Sequence, residues 1–141
     1  MTAEPIKVVI DTSVFIRYLI RPSAATRRLL EELWLEDQIL VVTAPEIFDE
    51  LSSVMKRQSV QAFISPQEGQ VLLEVLQGKA DFLPSLGEVP SYTREPKDDK
   101  FVACALAVKA VYLITEDRDV LSMGEIEGVR MVTPYGFLTA S

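Results

Sequence analysis

The sequence predicts a three-layer α/β/α sandwich with a mainly parallel central sheet. Three observations lead there. Short β-branched apolar runs recur without polar alternation, segments of helical period separate them, and two of those segments open on capping signals. Strands that read this way are buried on both faces, and strands alternating with helices pair in parallel through right-handed crossovers.

The first run, "IKVVID" (6–11), is such a strand, and "TSVFIRYLI" through "SAATRRLLEELWLED" follows with helical period, broken in two at Pro22. "QILVVT" (38–43) is the second strand. Thr43, Pro45 and Glu46 then supply an N-cap, a first-turn proline and the acid of a capping box for the helix "APEIFDELSSVMKR". Ser65, Pro66 and Glu68 signal another helix in the same way, carrying Val71, Leu72, Val75 and Leu76 on one face and stopping at Gly78. "ADFLP" reads as a short edge strand, and the proline-rich stretch 84–97 as a loop. The helix "DDKFVACALAVKA", the strand "VYLIT" (111–115), a short helix near "DRDVLSM" and a last strand "VRMVT" (129–133) complete the chain. With no repeat, low-complexity segment or composition break, residues 1–141 are expected to form one domain.

Composition narrows the chemistry. The chain has 141 residues, 48% of them hydrophobic and 25% charged, the balance of a water-soluble protein. No apolar run approaches the roughly 20 residues needed to span a bilayer, and "MTAEPIKVVID" lacks the features of a signal peptide, so a cytoplasmic location is expected. The single cysteine, Cys104, sits among Ala103, Ala105 and Leu106 and reads as a small buried hydrophobe. The absence of histidine removes the usual general base of hydrolases and the imidazole-rich zinc sites. Chemistry, where there is any, falls to carboxylates. A net charge of −7 argues against tight non-specific nucleic-acid binding but leaves room for a metal-dependent site, since bound cations invert the local sign.

In a parallel sheet each helix that leaves a strand's carboxyl end begins at that same edge, and ligands bind there, where strand order reverses. Asp11 ends the first strand; Asp117 and Asp119 follow "VYLIT"; Asp98 and Asp99 open the helix that feeds it; Glu46, Asp49 and Glu50 lie in the first two turns after the second strand. All four segments bring carboxylates to one rim. Each acid also has an architectural explanation, as a turn residue or as a first-turn acid favoured by the helix dipole by about 0.3–1 kcal/mol. Convergence changes the argument, because carboxylates within reach of one another raise each other's pKa unless a cation neutralises them. Oxygen ligands without histidine or cysteine point to Mg²⁺ or Mn²⁺.

"VVIDTSVFI", "APEIFDELSSVMKR", "REPKDDKFVACALAVKAVYLITEDRDVL" and "VRMVTPYGFL" resemble, in that order and over about residues 7–138, the PIN-domain family of ribonucleases, most of all its VapC-like group of toxin components of toxin-antitoxin systems. The resemblance implies a PIN-like, Rossmann-like fold and a Mg²⁺- or Mn²⁺-dependent endoribonuclease. By it, Asp11, Glu50, Asp99 and Asp117 hold the metal, with Ser13, Thr115 and Asp119 as supports; water attacks the phosphorus of single-stranded RNA in line, leaving a 5′-phosphate and a 3′-hydroxyl. Glu50 is favoured over Glu46 by the "EL" that follows the family pattern. Asp98 is left as a helix cap or an outer support. The resemblance further implies a homodimer and an antitoxin that covers the site.

Between Thr12 and Leu30 there is no acid and there are four arginines. Arg17 and Arg21, one helical turn apart, are candidates for phosphates flanking the cleaved bond; Arg27 and Arg28 are expected to pair with Glu31 and Glu32. Arg94, Lys97 and Lys100 form a second small basic group beside Asp98 and Asp99. Trp34 with Leu33 and Leu35, and the Val71–Leu76 stripe, are core or a dimer face. Two other functions fit parts of the pattern. One is a non-catalytic PIN-like module that binds RNA or a protein through the same rim. The other is a phosphatase using Asp11 as nucleophile, weakened by Ser13 standing where the haloacid-dehalogenase pattern has a second aspartate.

Overall fold

The computed structural model describes residues 4–140. A six-stranded sheet of β1 (Ile6–Ile10), β2 (Ile39–Thr43), β3 (Asp81–Phe82), β4 (Tyr112–Ile114), β5 (Glu125–Ile126) and β6 (Val129–Val132) runs in the order β3-β2-β1-β4-β6-β5. Every pairing is parallel except β5 with β6. The chain winds outward from β1 to β3, then crosses back to lay β4 on the other side of β1. Strand order therefore reverses between β1 and β4, whose ends meet in the register Ile10↔Ile114.

Alternation along buried strands builds a core on each face of the sheet. Val8, Ile10, Ile39, Val41 and Ile114 point to one side, against Val14, Phe15, Leu29, Trp34, Leu51 and Leu76. Val9, Val42, Leu113 and Met131 point to the other, against Ile47, Phe101, Val102 and Ala105. The helices supplying these cores are α1 (Thr12–Ile20), α2 (Ala24–Arg27) continuing into a π-helical stretch (Arg28–Trp34), α3 (Pro45–Met55) and α5 (Pro66–Lys79), then α6 (Asp99–Val108). Short helices α4 (Gln58–Gln61), α7 (Arg118–Leu121) and α8 (Pro134–Thr139) fill the remaining links. The three-layer α/β/α sandwich read from sequence is the observed architecture.

Local signals held where a side chain had a partner. The capping box at Ser65 and Glu68 forms with both bonds, 3.1 and 3.2 Å, and α5 ends at Lys79, one residue beyond Gly78. The box expected at Thr43 does not form. Thr43 is the last residue of β2, Ala44 takes the N-cap without a side-chain bond, and Glu46 instead accepts from Ser85 Oγ at 3.1 Å and Leu86 N at 2.8 Å. A long-range loop contact outcompeted the local one. The sequence reading also missed β5, a two-residue strand too short for any periodicity, joined to β6 by Glu127 and Gly128, both at positive φ as a tight hairpin turn requires. Helix α8 went unread as well. No helix among the described residues is long and apolar enough to cross a membrane.

Candidate active site

The reversal between β1 and β4 decides which side chains meet. Asp11 follows β1 directly and is the N-cap of α1, its Oδ1 accepting from Ser13 N at 3.2 Å. Its main-chain N–H donates to the Ile114 carbonyl at 2.9 Å, which sets Asp11 beside the residue after β4. That residue, Thr115, donates its hydroxyl to Asp11 Oδ2 at 2.6 Å, and Thr115 Oγ1 in turn accepts from Asp117 N at 3.0 Å. Asp117 caps α7 by accepting from Asp119 N at 2.8 Å. Ser13 closes the ring, its Oγ accepting from Glu116 N at 3.1 Å. Asp11, Ser13, Thr115 and Asp117 are thus one hydrogen-bonded unit, while the Asp119 side chain is exposed and contributes through its backbone.

Glu50 enters from the second turn of α3. Its Oε2 accepts from Thr12 Oγ1 at 2.7 Å, and its Oε1 lies 3.1 Å from Lys100 Nζ on α6. Sequence placed Lys100 only in the small basic group beside Asp98 and Asp99 and did not single out Thr12, since neither type carries a pattern of its own.

The adjacent aspartates differ in their partners. Asp99 Oδ1 accepts from Tyr92 N at 2.9 Å, Thr93 N at 2.7 Å and Thr93 Oγ1 at 2.9 Å, so this carboxylate gathers the loop before α6. Asp98 stands at the N-cap of α6 but makes no capping bond. It is 4% exposed, and its Oδ2 is buried with no hydrogen-bond partner. A periodic signal could have found this. Asp98 lies three, four and seven residues before Phe101, Val102 and Ala105, the buried stripe of the helix, so it continues the face turned to the sheet.

Electrostatics single out the same group. Burial, followed by the charges of Asp117 and Asp11 and to a smaller extent Glu50, pushes the Asp98 carboxyl up to about 6, against a smaller opposing pull from Lys97. Asp11 is raised by burial and less by Glu50 and Asp117, while its bonds from Thr115 and Ser13 act in the other direction. Asp99 is lowered, its three loop bonds outweighing its burial. Glu46 is lowered by its Leu86 bond. Asp11, Glu50, Asp98 and Asp117 therefore feel one another, and Asp99 and Glu46 serve the 84–97 loop. Among the described residues, no three histidine, cysteine, aspartate or glutamate side chains are gathered closely enough to hold one ion as they stand.

Arg17 and Arg21 are exposed. They lie about 8 and 14 Å beyond Thr12 along the axis of α1. Arg28 meets Glu32 at 3.7 Å as expected, whereas Glu31 accepts from Tyr18 Oη at 2.6 Å. A concavity of about 670 Å³ bordered by Tyr18, Trp34 and Val75 involves none of the four acids. Trp34, Leu72 and Leu76 are core, while Val71 is exposed.

A doubly wound, mainly parallel sheet with carboxylates at its switch point is an α/β fold that presents a ligand site at that edge. The chain belongs to the PIN domain family, whose profile matches residues 7–119. It is 29% identical over 120 residues to the uncharacterized protein MJ1680 of Methanocaldococcus jannaschii, covering 84% of this chain and 75% of that one. Among solved structures it is similar to VapBC2 from Rickettsia felis bound to a DNA fragment from the promoter, with a TM-score of 0.58 at 12% identity, covering 89% of this chain and 96% of the other. It is also similar to the PIN domain endonuclease Utp24, with a TM-score of 0.55 at 17% identity, covering 92% and 85%.

Proposed function

We propose that this PIN domain is a Mg²⁺- or Mn²⁺-dependent endoribonuclease acting on single-stranded RNA, with Asp11, Glu50, Asp98 and Asp117 as its acidic set. The observation that carries the reading is the buried, unpartnered Oδ2 of Asp98, crowded by the charges of Asp117, Asp11 and Glu50. A buried carboxylate in that setting is costly unless a cation completes it, and an all-oxygen donor set suits a hard divalent ion. The donor types present fit the metal, and the side chains would close around it, since no three of them meet at one point as they stand. When bound, such an ion supplies charge neutralisation at the phosphodiester and activation of water.

The chain's own groups then divide the remaining work. Thr115 and Ser13 hold the Asp11 carboxylate in one orientation. Thr12 fixes Glu50. Asp99, counted with the acidic set on resemblance, is reassigned to anchoring the loop before α6, which sets where Asp98 stands. Arg17 and Arg21 are proposed to hold flanking phosphates. We further propose one domain over residues 1–141, a cytoplasmic setting, a homodimer and a role as the toxin of a toxin-antitoxin pair. That last role is supported by the likeness to the Rickettsia felis complex.

The test is cleavage of single-stranded RNA in Mn²⁺ by the wild type beside Asp11→Asn and Asp98→Asn. Loss of cleavage in both well-folded variants is expected. Undiminished cleavage in either would sink the assignment, and RNA binding without cleavage under every divalent ion would instead favour a non-catalytic module.

A further inference from the structure

Of the ion pairs among the described residues, Lys100 with Glu50 is the one in which both side chains are largely buried, 21% and 23% exposed. The others leave at least one partner open to water, with 62% for both Arg28 and Glu32 and 82% for Asp37 opposite Lys79. A sheltered pair gives up hydration on both sides and returns little net stability, so its presence calls for another reason. Its position offers one. Lys100 follows Asp98 by two residues on the first turn of α6, and the glutamate it meets also accepts from Thr12. Both Glu50 oxygens are therefore occupied by the chain's own donors. Beneath, the Phe101 ring lies 5.8 Å from the ammonium and gives it a second hold.

We propose that Lys100 is a resident cation of the acidic site, neutralising Glu50 in the metal-free protein and yielding it to a divalent ion, after which its ammonium meets the phosphodiester of the substrate. This rests on the metal site proposed above and adds the control of its filling. A lysine suits the part because its head is a point charge on a flexible stem, able to leave one oxygen for another. The same arrangement accounts for acids that feel one another while no three of them close on a single point. Glu50 is held by Lys100 until a stronger cation competes.

The experiment is a Mn²⁺ titration of the RNA-free full chain, followed by electron paramagnetic resonance, on wild type, Lys100→Met and Lys100→Arg. Lys100→Met should bind Mn²⁺ roughly tenfold more tightly, the order expected when one unit charge a few ångströms from a divalent ion is removed in a water-like medium. Lys100→Arg, which keeps the charge, should not show this gain in affinity. At saturating Mn²⁺, Lys100→Met should also raise the KM for a short single-stranded RNA several-fold. Equal or weaker Mn²⁺ binding by Lys100→Met, with wild type binding normally, overturns the resident-cation role and leaves the metal site standing. Tighter Mn²⁺ binding with an unchanged KM overturns the phosphate contact. No Mn²⁺ binding by folded wild type overturns both this inference and the metal site beneath it.

Discussion

Replacing Asp98 by asparagine should make the metal-free protein gain stability relative to wild type as pH rises from acid to neutral, and should abolish its response to metal. Its carboxyl is raised from an ordinary 3.8 to about 6, so the folded chain binds this proton more tightly than the unfolded chain does. Stability associated with the group is then greatest below pH 4 and is lost as pH rises from about 4 to 6. A shift of about two units corresponds to a burden of about 3 kcal/mol at pH 7.5 and about 1 kcal/mol at pH 4.5. Asparagine carries no charge at either pH, though burying its amide costs about 1–3 kcal/mol at both. The difference between the two conditions removes that common cost. The variant should therefore gain about 2 kcal/mol relative to wild type on going from pH 4.5 to pH 7.5, or about 6 °C in Tm for a domain of this size. The assay is thermal unfolding in chelator at both pH values, then at pH 7.5 with Mn²⁺ added. Wild type should rise with Mn²⁺ by mass action and the variant should not. A variant whose relative stability is the same at both pH values, or which gains as much from Mn²⁺ as wild type, refutes the placing of Asp98 in the acidic set.

The neighbouring aspartate supplies the matched contrast. Asp99→Ala leaves the Tyr92 and Thr93 donors without their acceptor and should cost about 2–4 kcal/mol by chemical denaturation. Asp99→Asn keeps an acceptor oxygen and should retain most of that stability and the Mn²⁺ response. Thr115→Val removes the 2.6 Å bond that opposes the rise in the Asp11 pKa. The acid limb of the pH–rate profile for RNA cleavage should then move to higher pH. Arg17→Ala and Arg21→Ala should each lower the slope of log K against log salt for single-stranded RNA by about 0.7 and leave Mn²⁺ binding unchanged. An unaltered salt slope removes them from the phosphate path.

The layers, the parallel order and the rim that gathers the acids could be read before any coordinates because they follow from strand and helix periodicity, which is local in sequence. Asp11 and Asp117 share that legibility. Asp11 directly follows β1 and Asp117 lies three residues past the end of β4, and two strands adjacent at a switch point leave little freedom in where the next residues go. Glu46 and Asp99 were harder for one common reason. Both sit in the first turn of a helix with a second acid nearby, and the choice between them is made by a partner far along the chain or across a loop. Leu86 takes Glu46, and the Tyr92–Thr93 backbone takes Asp99. Within each such pair, the acid left without a backbone donor is the one we propose for the cation, since hydrogen bonds to a carboxylate and a metal at a carboxylate satisfy the same charge. Each close pair of candidates can be sorted on that basis. Lowered carboxylates such as Glu46 and Asp99 already have what they need, whereas the raised ones, Asp98 and Asp11, are held charged against their surroundings. Asp98 was the less favoured of two adjacent aspartates in sequence, and its lack of partners is what carries its proposed place at the metal.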